Sequence, residues 1–365
     1  MGVERYFPPD SAFVIAEIGT SHRGDRVRAR ELVDAAAEAG ADCVKTQIVY
    51  ASEIVHPAAG SIELPGGSVA VFDRFKELEL SAEFFAEMAR HCRRRGVAFL
   101  ASCFGPRGLA DLTQLGADAV KIASPEINHL SLLRGVRDSG LSTILSTGVS
   151  TLCDIDRALS LTGRTTSGLL HCVTAYPAPE EDYNLRVIEN LSRVFGVPVG
   201  VSDHSLDPLL VPSASVALGA RAVEKHLTHS RNDGGLDDAI ALEPDGFAKM
   251  VNAVREAAAR PAEETMSQLS ARYGVERLEA VCGDGVKRLA DSETANYGRS
   301  NRSILATTDI APGEAIGEHN AAALRSEQNV TPGLSPFEWE HVRGARAAHP
   351  IPNGTGIRWA HLLSS

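Results

Sequence analysis

The chain has 365 residues, 44% of them hydrophobic and 23% charged, with a formal net charge of −11. This composition excludes disordered and collagen-like chains, and with no run of 18 or more apolar residues it excludes a membrane-spanning class. The acidic balance excludes a nucleic-acid surface, which needs a basic field, but a few lysines inside a cleft can still reverse the potential for a small phosphorylated ligand.

Residues 1–9 carry no apolar leader core, which predicts a cytoplasmic protein. The cysteines (Cys43, Cys92, Cys103, Cys153, Cys172, Cys282) show no CxxC spacing and suit reduced, mostly buried thiols. From residue 13 onward short β-branched runs alternate with amphipathic stretches. Strands are predicted at 13–19, 43–48, 98–104, 119–124, 143–148, 168–174, 197–204 and 222–228. Helices are predicted at 27–39, 82–95, 109–115, 130–138, 153–161, 185–195, 209–218 and 246–258. Strand–helix alternation specifies a parallel sheet, and eight units within about 250 residues is the size of a closed (β/α)8 TIM barrel.

Turns agree with this reading. Gly40, Gly116 and Gly219 each stand just after a helix and just before an apolar strand, at the end of the barrel away from chemistry. The longest interruption, residues 49–80, follows the second strand and is expected to shape the substrate pocket, because long βα loops lie on the functional face. The barrel is placed at 1–260 and a linker at 261–300. A small, mostly β domain with turn signals such as Ala311-Pro312-Gly313 is placed at 301–365.

Polar residues recur at the ends of the predicted strands: Glu17; Lys45 and Gln47; Lys121, Ser124 and Glu126; Ser202, Asp203 and His204; Glu224, Lys225 and His226. Lys45 and Lys121 each interrupt an apolar strand with a charge that must meet an anion or neutralise. Three readings are open for them: internal salt bridges to Glu17 or Glu126; a clamp in which both ammonium groups and the hydroxyls of Ser102, Ser124, Ser146, Thr147 and Ser202 hold a phosphate and a carboxylate; or a Schiff-base lysine. His204 and His226 end neighbouring strands, about 4.8 Å apart, so both imidazoles can reach one ion. Two such ligands beside carboxylates suit Mn²⁺, Mg²⁺ or Fe²⁺ better than a structural zinc. Taken singly, either histidine also fits a plain structural role.

Several segments resemble the sialic acid (N-acetylneuraminate) synthase family. They are Ala16-Glu17-Ile18-Gly19 with Ser21-His22-Arg23-Gly24-Asp25, Gly40-Ala41-Asp42-Cys43-Val44-Lys45-Thr46-Gln47, Lys121-Ile122-Ala123-Ser124-Pro125-Glu126, Gly200-Val201-Ser202-Asp203-His204-Ser205 and Val223-Glu224-Lys225-His226. In the tail, Asn301-Arg302-Ser303-Ile304 and Pro332-Gly333-Leu334-Ser335-Pro336 resemble the antifreeze-like (SAF) domain of that family. The resemblance implies that phosphoenolpyruvate (PEP) is bound by Lys45, Lys121, Ser102, Ser124, Ser146, Thr174 and Ser202, and Mn²⁺ by His204 and His226. It implies that Glu17, Gln47, Glu126, Tyr176 and Asp237 face the acceptor sugar or its aldehyde. It further implies a homodimer in which the SAF domain, through Arg302, caps the partner's barrel.

The reaction so implied joins carbon three of PEP to a sugar aldehyde held at the metal. Water adds at carbon two, with Glu17 managing its proton, and phosphate leaves by C–O cleavage. The chain departs from the family's usual residues at Ser21, Thr46, Ser102-Cys103, Val149 and within 65–69. These departures are expected to cluster at the acceptor end and to point to a sugar other than N-acetylmannosamine. Two further readings are a pyruvate-dependent aldolase and a non-catalytic sugar-binding barrel. The second is opposed by the retained strand-end charges, which a barrel freed from catalysis would lose to its own benefit in stability.

Overall fold

The computed structural model describes residues 2–64 and 67–362. Eight parallel strands close a barrel: β1 (Phe13–Gly19), β2 (Cys43–Ile48), β5 (Ala98–Cys103), β6 (Ala119–Ile122), β7 (Ser142–Ser146), β8 (Ser167–Cys172), β9 (Val199–Asp203) and β10 (Ala222–His226). A hairpin of β3 (Ser61–Leu64) and β4 (Gly67–Ala70) interrupts the alternation after β2. The helices are α1 (Arg26–Glu38), α2 (Val71–Glu77), α3 (Ala82–Arg95), α4 (Pro106–Gln114), α5 (Leu130–Ser139), α6 (Leu152–Thr162), α7 (Val187–Phe195), α8 (Leu210–Ala217) and α9 (Pro244–Ala259). Each predicted strand is present, most of them ending one or two residues early. The three expected turn glycines, Gly40, Gly116 and Gly219, have φ of 88°, 68° and 95°, where a side chain would be strained.

Alternation along the strands sorts side chains into an outer set under the helices and an inner set on the barrel axis. Val14, Ala16, Ile18, Val44 and Ile48 belong to the outer core, whereas Phe13, Ile15, Cys43, Leu100, Ala119, Ile144, Leu170 and Ala222 fill the lower barrel. Val3, Tyr6 and Phe7 pack against that inner cluster and close the floor. One layer higher, the same inward parity delivers Glu17, Lys45, Lys121, Ser146, Cys172, Ser202 and Glu224. Register confirms this placement: Glu17 pairs with Lys45 on one side and His226 on the other, Gln47 with Ser102, Ser102 with Lys121, and Glu224 with Ser202.

Beyond α9, α10 (Ala262–Tyr273) and α11 (Val275–Cys282) occupy much of the stretch read as a linker, and Leu269, Leu278 and Val281 join the main core. An extended strap then crosses to β11 (Arg302–Ala306), which pairs antiparallel with β12 (Ala321–Arg325). Ile304, Ile310, Ile316, Val342, Ile351 and Ile357 form a separate small core there, and α12 (Trp339–Val342) closes one side. This C-terminal unit rests on the barrel of its own chain: Arg325 N donates to Ile54 O at 2.9 Å, and Arg134 pairs with Glu340 at 2.7 Å. Among the described residues, no helix is long and apolar enough to cross a membrane.

Candidate active site

A cavity of about 300 Å³ opens at the C-terminal mouth of the barrel. Its floor is the upper inner layer. Lys45 Nζ lies 2.8 Å from Glu17 Oε2, 3.1 Å from Ser102 Oγ and 3.7 Å from Glu224 Oε2. Lys121 Nζ donates to Ser146 Oγ at 2.7 Å and lies 3.4 Å from Glu224 Oε1, which also accepts from Ser202 Oγ at 2.9 Å. The salt-bridge reading of the lysines is thus correct for Glu17, yet the space above them stays open. Thr174 Oγ1, on the same wall, is buried without a hydrogen-bond partner.

Electrostatics follow from this crowding. Burial alone would lower the Lys45 pKa, but the carboxylates of Glu17 and Glu224 outweigh it and raise the value. Lys121 is lowered, chiefly by burial, with Glu224 opposing. Glu17 is raised, first by burial and then by the repulsion of Glu224, against the pull of Lys45, so it is readier than an ordinary carboxylate to hold a proton at neutral pH.

The opposite wall carries the imidazoles. The His204 and His226 rings are 5.6 Å apart between centroids, and the Tyr176 ring stacks on His204 at 4.3 Å. His204 Nδ1 donates to Val173 O at 2.9 Å, which fixes the ring; burial would lower its pKa, but Cys172 and the Val173 carbonyl raise it to about 8, so Nε2 offers a lone pair only after losing a proton. Burial and the neighbouring cations hold the His226 pKa well below its usual value, so its ring is neutral, the form that ligates a metal. Asp237 Oδ2 approaches His226 Nδ1 at 4.0 Å. Among the described residues no three His, Cys, Asp or Glu side chains converge on one metal position. The donors on this wall are two imidazoles, and an ion held there would take its other ligands from water or substrate oxygens.

Of the residues singled out from sequence, Glu17, Lys45, Gln47, Ser102, Lys121 and Ser124 line this cavity, as do Ser146, Thr174, Tyr176, Ser202, His204, His226 and Asp237. Three do not. Thr147 turns away, its hydroxyl directed at Leu170 O at 3.4 Å. Glu126, expected to face the acceptor, is fully buried beneath the C-terminal unit, where it accepts from Arg302 Nε at 2.5 Å and Arg325 Nη2 at 2.6 Å. Arg302, expected over a partner's sugar site, is spent on Glu126 and on the carbonyls of Phe104, Ile54 and Ala323. Arg325 reaches the cavity instead.

Sequence reasoning assigned no role to Glu224, although it shares the inward parity of His226 two residues on. It also missed Asn296, Ser300, Arg325 and Glu327, which reach the rim from the strap and the C-terminal unit and follow no strand period. Phe75, on α2 in the long βα loop, lines the cavity as that loop was expected to do. Lys225 and Asp203 point outward as a dry pair at 2.6 Å and are structural. Of the departures, Ser102 lines the cavity beside Lys45, whereas Ser21, Thr46, Cys103 and Val149 do not line it. The reading of 65–69 falls partly on Pro65 and Gly66, outside the described residues. A larger groove of about 640 Å³, between α5 and the C-terminal unit, holds neither the lysines nor the paired histidines.

Comparison with known proteins decides the family. A match described as the NeuB family spans residues 32–265. The chain belongs to the NeuB family. A match to the SAF domain covers residues 301–363. The spore coat polysaccharide biosynthesis protein SpsE of Bacillus subtilis is 37% identical over 96% of this chain and 93% of its own length. Its crystal structure superposes with a TM-score of 0.81 over 97% of this chain and 96% of that one, at 35% identity. An N,N'-diacetyllegionaminic acid synthase of Legionella pneumophila is 31% identical over 96% of this chain and 95% of its own length. The N-acetylneuraminic acid synthetase of Leptospira borgpetersenii aligns with a TM-score of 0.63 and 30% identity over 74% of this chain and 94% of that one.

Proposed function

We propose that this NeuB-family chain is an enzyme that condenses PEP with the open-chain aldehyde of a hexose related to N-acetylmannosamine, giving a sialic-acid-type 2-keto acid and phosphate. The observation that carries the reading is the pair of buried ammonium groups facing two imidazoles across one open cavity at the barrel mouth. Relatives named N,N'-diacetyllegionaminic acid synthase and N-acetylneuraminate-9-phosphate synthase support the reaction class.

Lys45 and Lys121, with Ser102, Ser146, Ser202 and the unpartnered Thr174 hydroxyl, bind the phosphate and carboxylate of PEP. In the cradle two ammonium groups stand against the two carboxylates of Glu17 and Glu224, which leaves no surplus charge for a trianion. Protonation of Glu17 restores a positive balance, and its raised pKa makes that proton cheap to hold. Glu17 is then placed, through the Gln47 amide that donates to its Oε1 at 2.9 Å, to exchange that proton with the water that adds at carbon two of PEP. His204 and His226 are the residues that would hold a divalent ion, Mn²⁺ in the first instance. Such an ion, when bound, supplies Lewis-acid polarisation of the aldehyde oxygen. Asp237, Tyr176 and Arg325 orient the sugar, while Phe75 and Phe104 keep bulk water from the reacting carbons.

The test is phosphate release from PEP with Mn²⁺ across a panel of N-acylated and plain aldoses. At least one aldose is expected to give stoichiometric phosphate and 2-keto acid. Borohydride trapping of an adduct between pyruvate and Lys45 or Lys121, with PEP inert, would replace the proposal with a Schiff-base aldolase.

A further inference from the structure

Between α11 and β11 the chain runs as a strap over the loops that follow β7 and β8, and its polar side chains end on loop backbone. Lys287 Nζ donates to Thr147 O at 2.9 Å, and Asn301 Nδ2 donates to Val149 O at 3.1 Å. Between these two, the buried carboxylate of Glu293 is driven into the gap between the loops. Its Oε1 accepts from both Val149 N and Thr174 N at 2.7 Å, and its Oε2 accepts from Ala290 N at 3.2 Å. The Tyr297 hydroxyl adds a bond at 3.0 Å to Asp154, the capping carboxylate of α6.

The clamped loop is held in an unusual shape. Val149 has φ of 39°, a left-handed conformation that a β-branched residue rarely adopts and that surrounding contacts must enforce. The packing behind it is tight: a Cβ on Gly148 would lie 2.9 Å from Glu293 Oε1 and 2.1 Å from Thr174 Oγ1. Immediately before this loop stands Ser146, bonded to Lys121, and Gly148 N donates to Ser124 Oγ at 3.0 Å. Glu293 itself does not line the cavity, yet it sets the spacing of the Ser124, Ser146 and Thr174 hydroxyls.

We propose that Glu293 is a positioning residue for the anion cradle, a built-in carboxylate that locks the β7 and β8 loops together. This inference rests on the proposed reading of the cavity for its kinetic arm, and on the loop geometry alone for its structural arm. Glu293→Ala strands two buried N–H groups that had a charged acceptor. The PEP KM is expected to rise about tenfold or more, the scale of losing hydrogen bonds to a charged group, while kcat falls far less. Millimolar formate, a carboxylate small enough for the vacated gap, is expected to restore the wild-type KM. Amide hydrogen exchange is expected to accelerate about tenfold or more at Val149 and Thr174 without a general rise across the barrel. The isosteric Glu293→Gln keeps one acceptor oxygen but turns an amide toward Ala290 N–H, and it should fall between wild type and alanine on both measures.

Unchanged exchange at Val149 and Thr174 overturns the proposal, as does a PEP KM within twofold of wild type. A barrel-wide rise in exchange that formate fails to reverse, seen in both variants, overturns it too, because Glu293 would then be a general stability residue. If the wild-type protein releases no phosphate from PEP with any aldose, the functional reading falls, while the exchange measurements still decide whether Glu293 locks the loops.

Discussion

Changing His226 to alanine is expected to lower metal-dependent phosphate release by about a thousandfold while leaving the barrel folded. A Lewis acid at a reacting carbonyl is worth several kcal/mol of charge stabilisation, and each 1.36 kcal/mol is a factor of about ten in rate. The stability cost is small by comparison. His226 closes β10 at the rim, and its nearest charged neighbour, Asp237, stands at 4.0 Å, so truncation orphans no buried partner. Asp237 should even be eased, since burial already raises its pKa. The measurement pairs phosphate release over a Mn²⁺ titration with thermal unfolding and with metal binding followed by calorimetry. Full activity of the variant in chelator-treated buffer would remove the metal from the proposal. A collapse of the unfolding transition would instead make His226 a structural residue.

The barrel was legible in the sequence because its signals are local and repeated. Most strands are short apolar runs, each αβ turn carries a glycine, and alternation alone tells which side chains face the axis. Lys45, Lys121, Ser202 and His226 were found this way, since a charge or hydroxyl in an apolar strand has few places to go. Glu224 was equally legible by parity, lying two residues before His226 and in register with Ser202. The boundaries of the site were not legible for a different reason. Asn296, Ser300, Arg325 and Glu327 reach it from the strap and the C-terminal unit, and their approach depends on how a second core docks, which no local period encodes. Glu293 sits in a stretch whose composition reads as a linker, and only the two loop amides at its tip reveal its role.

Glu126 was misplaced for a related reason. A carboxylate just past the end of β6 is in the right region for substrate, but the turn Ser124–Glu126 carries it sideways under β11 and β12 rather than over the axis. There it meets charge of the opposite sign from a segment nearly two hundred residues away. A buried carboxylate facing two guanidinium groups is a better electrostatic solution than one facing an open cavity, and the chain takes it.

That solution makes Glu126→Ala the substitution with the largest expected cost in stability. Glu126 accepts from Arg302, from Arg325 at 2.6 and 3.1 Å, and faces His129 Nδ1 at 3.2 Å. Removing the one anion leaves Arg302 buried without a counter-charge, a loss of about 3–5 kcal/mol for a broken buried pair. Arg302→Met combined with Glu126→Ala should recover part of it, because a fully apolar replacement strands nothing. The sign of the pH dependence is fixed by the same contacts. Burial would raise the Glu126 pKa, but Arg302 and Arg325 outweigh it and hold it far below the ordinary carboxylate range. Its contribution is therefore fully present above the unfolded carboxylate pKa of about 4.3 and fades only as pH falls below that toward the depressed folded value. The stability gap between wild type and Glu126→Ala, read from denaturant unfolding, should then be flat from neutral pH to about pH 5 and narrow only in stronger acid. A gap already closed at pH 7 would mean that Arg302 is satisfied by its carbonyl partners alone. Arg325 ties this to the active site: it lines the cavity, lies over the Phe104 ring at 5.4 Å and is held there by Glu126. The variant should therefore raise the KM for the aldose more than the KM for PEP, since Glu126 holds Arg325 and bonds neither Lys45 nor Lys121.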